Sequence, residues 1–315
     1  KKYMNRAPVI IGVKGHVLNL GEINLLKKKR PFGVILFKRN IKNPKQILRL
    51  TTSIKKILGN DVMILIDQEG GRVSRLNKEY WDTYPEASYF GGIAKHNPGR
   101  AKKIAFENYK SIGKNLAAIG INFNCAPVLD LKFRGASSVI GDRAFSRDPN
   151  IISYLSLEAC KGLLSENVFP IIKHIPGHGR SKTDSHLDLP VIKSSKIQLQ
   201  EDFYPFIKLK KMPLAMIAHI KYLELDKIEC ATYSKLIINY IKNEIGFKGI
   251  LLSDDLCMKA LKGSYVNRAK KAILAGCDIV LHCDPNLLNI IKTCEGAGYA
   301  SEKLIKKVKE LKFFL

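Results

Sequence analysis

A (β/α)8 barrel is the fold that this sequence predicts, and three observations predict it. Short apolar runs recur eight times along the 315 residues. Stretches with helical spacing lie between them, and polar residues gather where the runs end. Runs apolar on both faces, each followed by a helix, describe parallel strands buried in a sheet. Eight such units average about 39 residues each, which one closed barrel accommodates with some loop insertions. A single catalytic domain over residues 1–315 is the corresponding expectation. The rival is a doubly wound open sheet, but no G-x-G-x-x-G follows the first run, as a dinucleotide-binding fold requires.

Residues 9–13 and 33–37 are the first two strand-like runs. Residues 44–58 have helical spacing and lead into the third run, 62–67. The longest insertion, 68–98, comes next; it carries Trp81, Tyr84, Pro85 and Tyr89 and is expected to wall a pocket, since a barrel keeps its active-site loops after its strands. Helical stretches 99–119 and 150–166 precede the runs 121–129 and 169–174 respectively. In the same way 195–209 precedes 214–219, 234–244 precedes 249–254, and 265–275 precedes 278–282. A last helical stretch, 301–313, ends the series.

Composition sets the class. Hydrophobic residues make up 46% and charged residues 26%, and no apolar run reaches the roughly 18 residues needed to cross a bilayer, so a membrane-spanning protein is excluded. Apolar segments recur along the whole length, which excludes intrinsic disorder. The anomaly is charge: 53 Lys and Arg against 28 Asp and Glu leave +25. Such an excess can mark a nucleic-acid partner. Here the cations are spread out in short groups, such as Lys27-Lys28-Lys29-Arg30, Lys102-Lys103, Lys208-Lys210-Lys211 and Lys306-Lys307-Lys309. No recognition motif accompanies them, so they read as solvated helix faces, with neither nucleic acid nor membrane as partner. The seven cysteines are an odd number without a CxxC pair, which suits a reducing compartment. Residues 1–15 hold no apolar stretch followed by a small-residue cleavage site, which makes the cytoplasm the default.

Five strand ends carry polar groups. The third run ends in Asp67-Gln68-Glu69-Gly70-Gly71-Arg72-Val73-Ser74-Arg75, the fourth in Asp130, and the fifth in Lys173-His174-Ile175-Pro176-Gly177-His178-Gly179. The sixth ends in His219 and the seventh in Ser253-Asp254-Asp255. Loops at the carboxyl ends of barrel strands converge on one mouth, so polar groups at five of them together point to an enzyme. His174 and His178, with His186 as a third ligand, invite a zinc reading. A pair at that spacing shares a face only on a helix, however, and Pro176-Gly177 breaks one, so no metal is expected. Residues 177–190 are rich in glycine and polar residues and should form a mobile loop over the mouth. Within it Asp184 and His186 are two apart, which in an extended segment puts both side chains on one side. A carboxylate beside an imidazole fixes its tautomer and raises its pKa towards working pH. The alternative is two solvated residues that never meet, and the spacing alone does not decide between them.

Six blocks in order carry a resemblance: LIDQEGGRVSRL (65–76), APVLDL (126–131), SVIGDRAFSRDP (138–149), IIKHIPGHGRSKTDSH (171–186), MIAHI (216–220) and LLSDDLCMKAL (251–261). Together they resemble the family 3 glycoside hydrolases, specifically the bacterial β-N-acetylglucosaminidases of peptidoglycan recycling, from about residue 12 to about residue 283. The resemblance implies a barrel and a retaining mechanism. It implies Asp254 as nucleophile and His186 with Asp184 as the acid/base pair, with Asp67, Arg75, Arg143, Lys173 and His174 at sugar-binding positions. It also implies that no metal or organic cofactor is needed, and that a monomer cuts β-1,4-linked N-acetylglucosamine from (anhydro)muropeptide or disaccharide substrates. Larger members carry a second α/β-sandwich domain for which this chain has no room. Arg143 has a plainer reading as the partner of Asp142, and Asp255 as an organiser of its loop. Residues 132–136 are more basic than expected of relatives, and no functional motif is matched in the 40 or so residues after Ser264. A phosphorylase on the same scaffold and a metal-dependent barrel hydrolase are the alternative activities.

Overall fold

In chain order, the residues described by the computed structural model, 5–315, begin with β1 (Val9–Gly12), α1 (Leu20–Lys29), β2 (Gly33–Leu36), α2 (Pro44–Leu58) and β3 (Met63–Ile66). Next come α3 (Ala87–Ala94), α4 (Pro98–Ala118), β4 (Phe123–Asn124), α5 (Pro149–Leu164), β5 (Phe169–Ile175), β6 (Val191–Ile192) and α6 (Lys196–Lys208). The series ends with β7 (Leu214–Ile217), β8 (Lys221–Tyr222), α7 (Lys235–Tyr240), β9 (Ile250–Asp255), α8 (Tyr265–Ala275), β10 (Ile279–His282), α9 (Leu287–Ala297) and α10 (Glu302–Glu310). Eight of the strands close a parallel barrel in the order β1-β10-β9-β7-β5-β4-β3-β2. Closure is made by the first and last barrel strands, with Val9 paired to Val280 and Ile11 to His282. The predicted (β/α)8 barrel is therefore observed, every one of its strands falling within one of the eight predicted runs or one residue beyond it.

Successive strand side chains point to opposite faces, and that alternation sorts the core into two layers. Val9 and Ile11 pack outward under the helices, with Val34, Ile64 and Val280. Ile10 points inward with Ile35, Leu65, Ile171, Met216, Leu252 and Leu281. Leu304 and Leu311, at the end of the chain, belong to the inner layer, in one buried cluster with Phe32, Phe169, Ile250 and Ile279. Those four stand where strands begin, so α10 plugs the amino-terminal opening of the barrel. Lys307 fastens the plug, its Nζ 2.6 Å from Asp278 Oδ2 and donating to the Gly249 carbonyl at 2.7 Å. It is thus not the solvated lysine that its sequence group suggested.

Three expectations need correction. Only Phe123–Asn124 of the run 121–129 forms a regular ladder; Pro127 has no N–H to give. Beyond Asn124 the segment holds its neighbours by single bonds, from the Cys125 N–H to the Ile66 carbonyl and from the Ile171 and Lys173 N–H groups to the Ala126 and Pro127 carbonyls, with one more bridge between Val128 and Lys173. Stretch 234–244 is helical only to Tyr240, after which Ile241–Ile245 widen into a π turn that ends at left-handed Gly246. The aromatic part of 68–98 does not wall the mouth. Trp81 and Tyr84 are buried in the outer core layer, and the Tyr84 hydroxyl bonds Ser111 and Asn115 on α4. No helix among the described residues is long and apolar enough to cross a membrane.

Candidate active site

At the carboxyl ends of the strands lies a cavity of about 480 Å³ whose lining includes Asp67, Arg75, Arg143, Lys173, His174, Asp184, His186 and Asp254. All eight residues singled out from the sequence therefore share one concavity. Arg143 does not pair with Asp142, which is bound instead by Arg72 at 2.8 Å.

The floor is a buried charge cluster. Asp67 and Glu69 leave the end of β3 two residues apart, which points both carboxylates the same way. Lys173 on β5 places its Nζ 3.0 Å from Asp67 and 2.7 Å from Glu69. Arg143 grips Glu69 with both arms, at 2.8 Å each, and Arg75 stands 3.5 Å from Asp67. Burial pushes the Glu69 carboxyl up, but Lys173 and Arg143 outweigh burial and hold it far below the usual range. By reciprocity Lys173 stays protonated: burial works against the ammonium, and Glu69 and Asp67 overcome it. The floor thus offers fixed donors and acceptors to a polyhydroxylated ligand.

Sequence reasoning placed Glu69 and Asp130 at strand ends but gave neither a role in the site. Asp130 is fully buried after β4; its Oδ2 lies 2.6 Å from His174 Nδ1, and its Oδ1 accepts the His178 N–H at 2.7 Å. Burial raises its pKa, and the His174 contact more than reverses this. Because a carboxylate only accepts, His174 carries its proton on Nδ1 and leaves Nε2 to the cavity side. The i, i+2 spacing from Asp67 was the available signal for Glu69; Asp130 had none beyond its place at a strand end.

Asp254, on β9, is 7% exposed. Burial favours its neutral form, but His219, His174 and the Asp255 N–H at 2.7 Å outweigh that and keep it a carboxylate. Asp255 organises the loop, as expected: its Oδ1 accepts the N–H groups of Cys257 and Cys283, each at 3.0 Å. Its carbonyl takes a hydrogen bond from His219 Nε2 at 2.9 Å.

Loop 177–190 reaches the cavity with Asp184, Ser185 and His186. Asp184 Oδ1 lies 2.7 Å from His186 Nδ1 and accepts the His186 N–H at 2.9 Å. The contact exists, but by a turn rather than an extended segment: Leu187 and Asp188 both bond back to the Asp184 carbonyl. Nδ1–H donation leaves His186 Nε2 free for proton exchange in the mouth. Ser185 is buried between these two residues, 3.3 Å from His178 Nε2. The stem is pinned from β8, where the Tyr222 hydroxyl donates to the Gly177 carbonyl at 2.6 Å and Lys221 N–H bonds Pro190 at 3.0 Å. Close packing at Gly179 excludes any side chain, since a Cβ there would stand 2.0 Å from the Leu131 carbonyl.

A sequence profile described as the glycosyl hydrolase family 3 N-terminal domain matches residues 15–311. The chain belongs to glycoside hydrolase family 3. This family 3 hydrolase is 36% identical over 285 residues to a β-hexosaminidase of Thioalkalivibrio sulfidiphilus, covering 89% of this chain and 82% of that one. Among solved structures, it resembles the Neisseria gonorrhoeae NagZ complex with N-trifluoroacetyl-D-glucosamine at a TM-score of 0.89 and 32% identity, covering 99% of this chain and 91% of that one. A family 3 β-N-acetylglucosaminidase from Paenibacillus aligns at a TM-score of 0.89 and 26% identity over 97% of this chain and 61% of that one.

Proposed function

We propose that this glycoside hydrolase is a retaining β-N-acetylhexosaminidase that removes β-1,4-linked N-acetylglucosamine from (anhydro)muropeptide fragments. The observation that carries the reading is a single cavity holding a buried carboxylate on a rigid strand, Asp254, and a carboxylate-held imidazole on a loop, His186 with Asp184. Retention of configuration needs a nucleophile on one face of the sugar and a proton donor on the other. Asp254 is held ionised, so it attacks the anomeric carbon while protonated His186 gives its Nε2 proton to the departing glycosidic oxygen. Water then adds to the anomeric carbon of the glycosyl ester, His186 takes its proton, and Asp254 is released. Lys173, Arg143, Arg75, Asp67 and His174 bind hydroxyls, which helps turnover where those bonds tighten as the ring flattens. The names of the relatives support the acetamido sugar.

The test is hydrolysis of an aryl β-N-acetylglucosaminide, expected with a kcat/KM at least about a hundredfold above that of the β-glucoside, roughly 2.7 kcal/mol of transition-state discrimination. A 2-fluoro sugar should add its mass to a peptide containing Asp254, and Asp254→Asn should abolish nearly all turnover with the fold intact. Comparable rates on glucoside, xyloside and N-acetylglucosaminide would refute the substrate reading, and label on Asp255 or Glu69 would refute the nucleophile. Sugar 1-phosphate formed in phosphate buffer would mark a phosphorylase.

A further inference from the structure

Two segments that line the mouth also build a second surface beside it. Ser138 and Val139 line the catalytic cavity, while Phe133, Arg134 and Ala136 of the same segment line a shallow hollow of about 210 Å³. Asp184 and His186 line the catalytic cavity, while Arg180 and Lys182 of the same loop line that hollow and an adjoining one of about 500 Å³. The Ser137 N–H bonds the Ser181 carbonyl at 2.8 Å and ties the two segments together. Two residues of extended chain span about 7 Å, so Lys182 stands within that reach of Asp184.

The joint hollow is cationic. Its lining includes Arg134, Arg180, Lys182 and Lys193 and holds no carboxylate. Arg180 is already occupied, bonding Asp202 at 2.5 Å and Glu201 at 2.9 Å. Its guanidinium and that of Arg147 each lie 4.2 Å from the centroid of the Phe133 ring. Arg134, Lys182 and Lys193 are exposed, and no ion pair is formed by them among the described residues. The acids of flanking segments are engaged elsewhere: Glu201 also with Arg147, Asp184 with His186, and Asp188 with the Leu189 N–H.

We infer that this shelf binds an acidic peptide carried by the leaving-group sugar. The inference rests on the proposed activity, because the acid/base residue stands on the leaving-group side of the scissile bond, and the shelf continues from the loop that carries it. Three free cations on three separate segments match several carboxylates spaced along a chain better than one compact anion. Their positions beyond the floor charges leave the glycone site untouched.

The experiment compares three substrates: a neutral nitrophenyl N-acetyl-β-glucosaminide, a disaccharide whose leaving-group sugar carries a peptide with free carboxylates, and the same disaccharide with those carboxylates amidated. The native chain is expected to favour the acidic over the amidated substrate about tenfold in kcat/KM at low ionic strength, and less at about 0.2 M salt, where exposed charges are screened. In the triple variant Arg134→Glu, Lys182→Glu, Lys193→Glu that preference should vanish or invert, while the nitrophenyl rate, which also reports folding, stays near the native value. Equal rates on acidic and amidated substrates in the native chain, or a preference that survives in the variant, would overturn the shelf and leave the activity standing. A variant that loses the nitrophenyl rate is replaced by the three single changes, whose preference for the acidic substrate should each fall. Failure of the native chain to cleave any of the three overturns the activity, and the shelf with it.

Discussion

At Glu69 three charges meet out of reach of water, and the consequence is a dependence on pH. Its carboxyl, 5% exposed, is held below its ordinary value of 4.5 by Lys173 and Arg143 against the opposing effect of burial. A group whose folded pKa is depressed adds stability above its unfolded pKa and loses it as pH falls towards the folded one. Glu69→Gln should therefore lower stability by about 3–5 kcal/mol at pH 7, the usual cost of breaking a buried pair. Thermal melts of both proteins should converge as pH drops below 4.5; a gap that stays constant would show that the charge is not what holds the cluster. His186 makes the other prediction at this scale. His186→Ala should damage substrates with poor leaving groups far more than nitrophenyl glycosides, whose phenolates depart with little protonation, and Asp184→Asn should do the same more weakly. Equal losses on both classes would make His186 a binding residue.

Among the elements, the short parallel pair of β6 and β8 governs the acid/base loop. Val191–Lys221 and Ile192–Tyr222 pairing holds one end of the loop, and the buried Tyr222 hydroxyl holds the other through Gly177. Tyr222→Phe keeps the ring and removes one hydrogen bond, at about 1 kcal/mol of stability. We expect kcat on poor leaving groups to fall several-fold with KM little changed, since the loop then closes less reproducibly on the bound sugar; a rise in KM alone would count against the idea. This pair was not legible in the sequence, where two-residue strands leave no alternation to read. The barrel strands were legible because each is apolar on both faces, and Asp254, Lys173 and His174 because they stand at the ends of those strands. Helices α1, α3 and α9 escaped notice for local reasons: α3 contains Gly91-Gly92, while exposed Leu20 and Leu288 blur the apolar stripes of the other two. The aromatic segment 80–89 misled because large apolar residues mark a core and a pocket wall alike.

Over the whole molecule, the +25 charge finds partial employment in helix ends. Lys27, Lys28 and Lys29 close α1, Lys55 and Lys56 close α2, and Lys307 and Lys309 close α10, where cations complement the negative end of the helix dipole. Dispersed in this way, the excess should give only weak, sequence-independent binding to nucleic acid that falls steeply with salt. Tight binding in a filter assay at about 0.2 M salt would contradict this. The ring of strands has a consequence in time. Val9 of β1 waits for Val280 of β10, and at roughly 5–20 residues per second of synthesis that wait lasts roughly a quarter of a minute to a minute. Throughout it, β1 is a bare edge of a growing sheet, open to any strand that arrives first. A nascent chain stalled late in translation would thus display the aggregation surface that the finished ring hides.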